Sequence, residues 1–177
     1  MIAVSKQKIA GVLQIKPTVH EDERGFFAET YREELYGREG ILPTFVQDNH
    51  SFSKKGTLRG MHFQSSPGQA KLVTVIVGTI YDVFVDLRPE SPTFLQWEGV
   101  MLDAGSHEQL YIPIGFAHGF AAMTDAHVHY KVSAPFDPET ERTFSYADAQ
   151  VGIEWPVDNP ILSEKDRLAP SIREVLS

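Results

Sequence analysis

The sequence predicts an all-β fold, a sandwich or barrel with short helical additions. Short apolar or alternating runs are separated at close intervals by Gly, Pro, Asn, Asp and Ser, which is β punctuation. Stretches of helical character are few. No linker, low-complexity tract or solenoid repeat interrupts the 177 residues, so one domain over 1–177 is expected. A hydrophobic content of 42% is enough for a sizeable core.

The elements follow in chain order. Residues 29–36 read as one short helix ended by Gly37. Residues 72–77 form a β-branched run ended by Gly78, and residues 80–87 follow at once, which predicts a hairpin. On a period of two, Tyr81, Val83, Val85 and Leu87 share one face of the second strand. Residues 97–102, 109–112, 116–123 and 127–132 read as further strands. Ser163-Glu164-Lys165-Asp166 resembles an N-terminal capping box, and residues 171–176 make a final turn or two of helix.

Charge and composition narrow the function. Acidic residues number 24 against 16 basic ones, a formal charge of -8, so a general nucleic-acid or membrane-surface role is disfavoured. A small anionic ligand is compatible if a few Arg and Lys gather in one pocket. The chain has no cysteine, which removes disulfides, thiolate nucleophiles and thiolate zinc sites together. The first residues lack the apolar core of a signal peptide, and no apolar run approaches the ~20 residues of a membrane-spanning helix. A soluble, cytoplasmic protein is expected.

Two segments carry candidate chemistry. In Leu58-Arg59-Gly60-Met61-His62-Phe63-Gln64 a regular strand puts Leu58, Gly60, His62 and Gln64 on one face. Arg59 then points the other way unless the strand bulges. A half-buried structural histidine beside an exposed arginine is an equal reading of this segment alone. In the second, Pro113-Ile114-Gly115-Phe116-Ala117-His118 resembles the second signature motif of the cupin superfamily, and Phe116, His118 and Phe120 alternate onto one face. The resemblance implies a jelly roll, the cupin double-stranded β-helix, with His118 pointing into the barrel. The first cupin motif supplies two histidines and then a carboxylate; here the positions read His62-x-Gln64, and the cation Lys71 follows. One imidazole fewer and a nearby ammonium oppose divalent metal binding, so no metal and no cofactor are expected.

A barrel without metal can still move protons. The reference pKa of imidazole, ~6.5, suits His62 to general-base work at neutral pH. Lys71 can stabilise oxyanion charge in a cavity poor in water. Tyr130 shares its face with Val128 and Val132, pointing inward, where it is either a proton donor or a plain core tyrosine.

The chain resembles the dTDP-4-dehydrorhamnose 3,5-epimerase family from about residue 12 to residue 170. The resemblance rests on Asp22-Glu-Arg-Gly-Phe-Phe-Ala-Glu, Phe45-Val-Gln-Asp-Asn-His-Ser-Phe-Ser, the Arg59–Gly60–His62 segment and Gln69-Ala-Lys-Leu-Val. Asp86-Leu-Arg-Pro-Glu-Ser-Pro-Thr-Phe, Gly115-Phe-Ala-His-Gly-Phe, Tyr130-Lys131 and Ser163-Glu-Lys-Asp complete it. It implies inversion of carbons 3 and 5 of a 4-keto-6-deoxy sugar carried on dTDP. By resemblance, His62 is the base, Asp166 orients it, Tyr130 is the acid on the opposite face, and Lys71 supports the enolate. Arg24, Arg59 and Lys165 match cations placed toward the diphosphate. Phe27, Glu29, Gln47, Asn49, His118, Phe136 and Glu141 match other substrate-binding positions. The resemblance also implies a homodimer sharing an N-terminal strand, which would take Arg24 and Glu29 toward the partner's pocket.

One stretch departs from the family pattern, which commonly has two adjacent tyrosines after Tyr130-Lys131. Here the pair is Pro135-Phe136, which keeps a ring but loses both hydroxyls. A related epimerase acting on one carbon, or on another nucleotide sugar, is therefore an alternative. From other classes, a metal-dependent cupin oxygenase or isomerase and a non-catalytic sugar-binding jelly roll remain. Metal analysis separates the first. The set His62, Lys71, Tyr130 and Asp166 argues against the second, since a lectin needs no base and acid pair.

Overall fold

A computed structural model describes residues 1–42 and 44–177. The chain opens with β1 (Ile2–Lys6), β2 (Leu13–Pro17), the hairpin of β3 (Val19–Asp22) and β4 (Gly25–Ala28), and helix α1 (Glu33–Arg38). The strands β5 (Gln47–Ser53), β6 (Leu58–Gln64), β7 (Lys71–Val77), β8 (Thr79–Asp86) and β9 (Trp97–Asp103) follow. Then come β10 (Gln109–Ile112), β11 (Phe116–Ala122), β12 (Ala126–Val132) and β13 (Glu141–Thr143), and last the helices α2 (Glu164–Arg167) and α3 (Ile172–Leu176). Among the described residues, one sheet has the order β1-β2-β10-β7-β12-β5, a second the order β13-β6-β11-β8-β9, and β3 pairs only with β4. The strand pairings within these sheets are antiparallel. Two such sheets face to face make the all-β jelly roll of cupin type that the sequence predicts.

The alternation of side chains along each strand sorts the core. Val73 and Val75 of β7, Ile80 and Phe84 of β8, Phe116 and Phe120 of β11 and Val128 of β12 meet between the sheets. The opposite face of β8 behaves as expected: Tyr81, Val83, Val85 and Leu87 act together. They pack outside the second sheet, under Phe144, Val151 and Ile172 of the later chain. Leu72, Ile15 and Tyr111 cover the outer face of the first sheet with Tyr36 of α1.

Two expectations are corrected. The runs at 72–77 and 80–87 do not form a hairpin, because β7 pairs with β10 and β12 whereas β8 pairs with β11 and β9. Gly78 carries the chain from one sheet to the other at φ 82, where a Cβ would stand 2.2 Å from the Asp125 carbonyl oxygen. The first helix starts at Glu33 rather than at residue 29 and runs through Gly37. The Thr30 carbonyl, which a longer helix would use internally, instead accepts from the Tyr36 hydroxyl at 2.7 Å and the Gln109 amide at 2.9 Å. Residues 171–176 do fold as a helical turn, with Ser171 and Glu174 forming a full capping box.

Candidate active site

The strand β6 does not run regularly. His62 lies opposite His118 of β11, but Arg59 lies opposite Phe120, so Gly60 and Met61 together face Gly119. Such a bulge re-aims side chains. It needs glycine on both strands. Gly60 sits at φ 133 with room for a Cβ only 2.6 Å from Gly119 Cα, and a Cβ on Gly119 would lie 2.8 Å from the Arg59 carbonyl oxygen. Arg59 and His62, three residues apart, therefore open onto one cavity. Arg59 is fixed there by donating from Nε to Ser53 Oγ at 2.9 Å and from Nη2 to the Phe52 carbonyl at 3.0 Å.

His62 meets its carboxylate from the far end of the chain. Its Nε2 is 2.6 Å from Asp166 Oδ1. Residues before α2 are stitched to the start of β6, through a Thr57–Ile161 bridge and the Leu58 N–H to the Ile161 carbonyl. Ser163 Oγ accepts the Asp166 backbone N–H at 3.1 Å, so this residue serves as a helix cap partner while its carboxylate serves His62. Burial pushes the Asp166 carboxyl up, but His62, Ser163 and the Gly60 N–H outweigh it and hold the group below the usual carboxylate range. With Nε2 donating to that anion, Nδ1 is the ring nitrogen left to accept a proton.

The facing sheet supplies the other groups. Lys71 stands on the inner face of β7 with Val73 and Val75 and is 8% exposed. Burial lowers its ammonium to about 8, with Glu141 and Asp82 pulling the other way. Tyr130 stands on the inner face of β12 between the buried Val128 and Val132, and burial raises its phenol. His62, Lys71 and Tyr130 line both of two adjoining hollows, the larger about 550 Å³ and reaching Arg59, His118, Lys165 and Asp166. The smaller is lined by Gln47, Asn49, Phe136 and Glu141. Gln47 Nε2 donates to Asn49 Oδ1 at 2.8 Å, and Lys165 is ion-paired with Glu141.

Asp82 is a group that sequence reading missed. It is fully buried, and His118 Nε2 lies 2.9 and 3.0 Å from its two oxygens. The available signal was an acid between Ile80 and Phe84 on the inner face of β8. Gln69 was also missed, and Gln64 was seen only as an absent histidine.

Arg24, Phe27 and Glu29 are not brought to the cavity of this chain. Arg24 pairs with Asp22 on the exposed β3–β4 hairpin, Phe27 is 70% exposed, and Glu29 pairs with Arg32.

The donor set does not suit a divalent ion. The Nε2 atoms of His62 and His118 each face a carboxylate, and the Gln64 amide is engaged with Pro135 and Gln69. Among the described residues no three His, Asp or Glu side chains converge as metal ligands.

Comparison with known proteins agrees with this arrangement. The family model of dTDP-4-dehydrorhamnose 3,5-epimerase matches residues 6–174. The dTDP-4-dehydrorhamnose 3,5-epimerase of Salmonella typhimurium is 49% identical, across 99% of this chain and 98% of that protein. A solved structure of the Bacillus anthracis dTDP-4-dehydrorhamnose 3,5-epimerase, with TDP and PPi bound, superposes with a TM-score of 0.94. It is 42% identical and covers 97% of this chain and 100% of its own. The Legionella pneumophila dTDP-6-deoxy-D-glucose-3,5-epimerase, solved with dTDP-4-keto-L-rhamnose, gives a TM-score of 0.94 at 42% identity. It covers 98% of this chain and 94% of its own. A full-length match in sequence and in backbone, around this cavity, means that the chain belongs to the dTDP-4-dehydrorhamnose 3,5-epimerase family.

Proposed function

We propose that this isomerase inverts carbons 3 and 5 of a dTDP-linked 4-keto-6-deoxy sugar. The observation that carries the reading is an imidazole and a phenol on facing sheets of one cavity: His62 with Asp166 on one side, Tyr130 on the other, and Lys71 on the strand next to Tyr130. A proton next to a ketone leaves only if the enolate is stabilised. His62 Nδ1 takes that proton and Lys71 balances the charge on the ketone oxygen. Tyr130 then gives its proton to the opposite face of the planar carbon. Solvent takes the first proton from His62 and restores one to Tyr130, so each inversion is proton-neutral.

Arg59 and Lys165 are the cations for the diphosphate. Gln47, Asn49, Phe136 and Glu141 line the hollow suited to the nucleoside, and His118 closes the wall behind the sugar. The exposed hairpin bearing Arg24 and Phe27 supports a homodimer in which it and Glu29 reach the partner's pocket. A chain lacking cysteine, whose described residues include no helix long and apolar enough to cross a membrane, is consistent with the cytoplasm as the setting.

The experiment is proton NMR of dTDP-4-keto-6-deoxyglucose incubated with the protein in heavy water. Deuterium at carbons 3 and 5 with inverted product is expected, unchanged after chelation with EDTA. Label at one carbon alone selects the single-carbon alternative that Pro135-Phe136 motivates. Absence of exchange overturns the proposal, and loss of turnover with EDTA, restored by a divalent ion, overturns the metal-free route.

A further inference from the structure

The segment after β12 carries an exposed ring on an immobilised backbone. Phe136 is 56% exposed, yet it and the three residues before it are each tied down. Ser133 exchanges two bonds with Ala70, its N–H donating to the Ala70 carbonyl at 3.1 Å and its Oγ accepting the Ala70 N–H at 2.8 Å. The Ala134 carbonyl accepts from Gln69 Nε2 at 2.8 Å, and the Pro135 carbonyl accepts from Gln64 Nε2 at 3.3 Å. The Phe136 N–H donates to Gln47 Oε1 at 3.1 Å. Gln69 Nε2 also donates to Gln64 Oε1 at 3.3 Å, so the two carboxamides brace one another. Gln64 itself is 8% exposed.

A segment that must be ordered on binding costs affinity, and one whose backbone is already held costs less. We infer that Gln64 and Gln69 are positioning residues, which hold the backbone that presents Phe136 to the hollow proposed for the nucleoside. This rests on the nucleotide reading given above. Gln64, at the position of a cupin metal ligand, acts here on a loop and not on the reacting carbons. The role is one of uniform binding, which moves KM and leaves kcat.

The test is calorimetry with dTDP and with inorganic pyrophosphate, and steady-state kinetics, on wild type, Phe136→Ala, Gln64→Leu and the double variant. Stacking of a base on a ring suggests that Phe136→Ala weakens dTDP about tenfold. Gln64→Leu should weaken it about fivefold, raise KM similarly and keep kcat. The double variant should be no weaker than Phe136→Ala alone. Pyrophosphate affinity should be the same in all four. Gln69→Leu, which lies outside the strands, should reproduce Gln64→Leu and serves if the latter does not fold. Additive losses in the double variant, or equal losses for dTDP and pyrophosphate, overturn the positioning role. Wild type binding dTDP no tighter than pyrophosphate overturns the nucleotide reading itself.

Discussion

Replacing Lys71 by methionine should make the protein more stable while removing its activity. Methionine keeps a linear side chain of similar length and deletes the charge. Burial takes the ammonium from the ordinary lysine value of 10.5 to about 8, so at neutral pH holding this charge in the folded state costs about 3 kcal/mol. The folded value lies below the unfolded one. Between about pH 8 and pH 10.5 the unfolded chain therefore binds more protons, and stability rises with pH through that window. Below about pH 8 both states are protonated and the full cost stands. Lys71→Met should gain about 1–3 kcal/mol at pH 7, because it removes a charge that burial has stripped of water, and little at pH 10. Urea unfolding of both proteins at the two pH values measures this, with other titrations cancelling between them. Loss of enolate stabilisation should lower kcat ~10²–10³-fold. For the wild type, kcat/KM should fall as pH climbs past about 8, where Lys71 loses its proton. A variant less stable than wild type at pH 7, or equally favoured at both pH values, would refute the reasoning.

Removing the base, His62→Ala, should cut deuterium uptake at both carbons by ~10²–10⁴-fold with circular dichroism unchanged, and Asp166→Asn should cut it less. Uptake near the wild-type rate in His62→Ala would mean that another group is the base. Tyr130→Phe should still label the recovered starting sugar through His62 while forming much less inverted sugar, which NMR in heavy water separates; normal inversion would assign the acid elsewhere. Gly60→Ala places a Cβ 2.6 Å from Gly119 Cα at φ 133 and should cost about 3 kcal/mol or more, read as a fall in Tm. A variant melting with the wild type would show that the β6 backbone has freedom to move.

The strands were legible where a residue's side of the sheet is written in its own neighbours. The alternation through 80–87 sorted Tyr81, Val83, Val85 and Leu87 correctly because burial on one face acts residue by residue. The hairpin at Gly78 was misread because pairing is decided by the partner strands, β10 and β12 for one run and β9 and β11 for the other. All of these lie later in the chain. Arg59 could be assigned a side only conditionally, since the bulge depends on Gly60 meeting Gly119 across two strands. His62, Lys71 and Tyr130 are brought together as inward positions of three strands, a matter of parity. Asp82 escaped because its role exists only with the His118 ring against it, and Gln69 because a loop amide has no periodicity to betray it.

The distance along the chain between His62 and Asp166, 104 residues, has a bearing on how the protein is made. Synthesis runs from the N-terminal end, and β13, at Glu141–Thr143, is the last strand to leave the ribosome. The strands of both sheets are thus translated before the carboxylate that meets His62. The same late stretch brings Ile172, which closes the outer core over Phe144 and Val151. A nascent or prematurely terminated chain can hold the residues of both sheets and still lack a directed imidazole. On the proposed mechanism, the His62 imidazole gains its carboxylate partner, and with it full basicity, only once translation has passed α2.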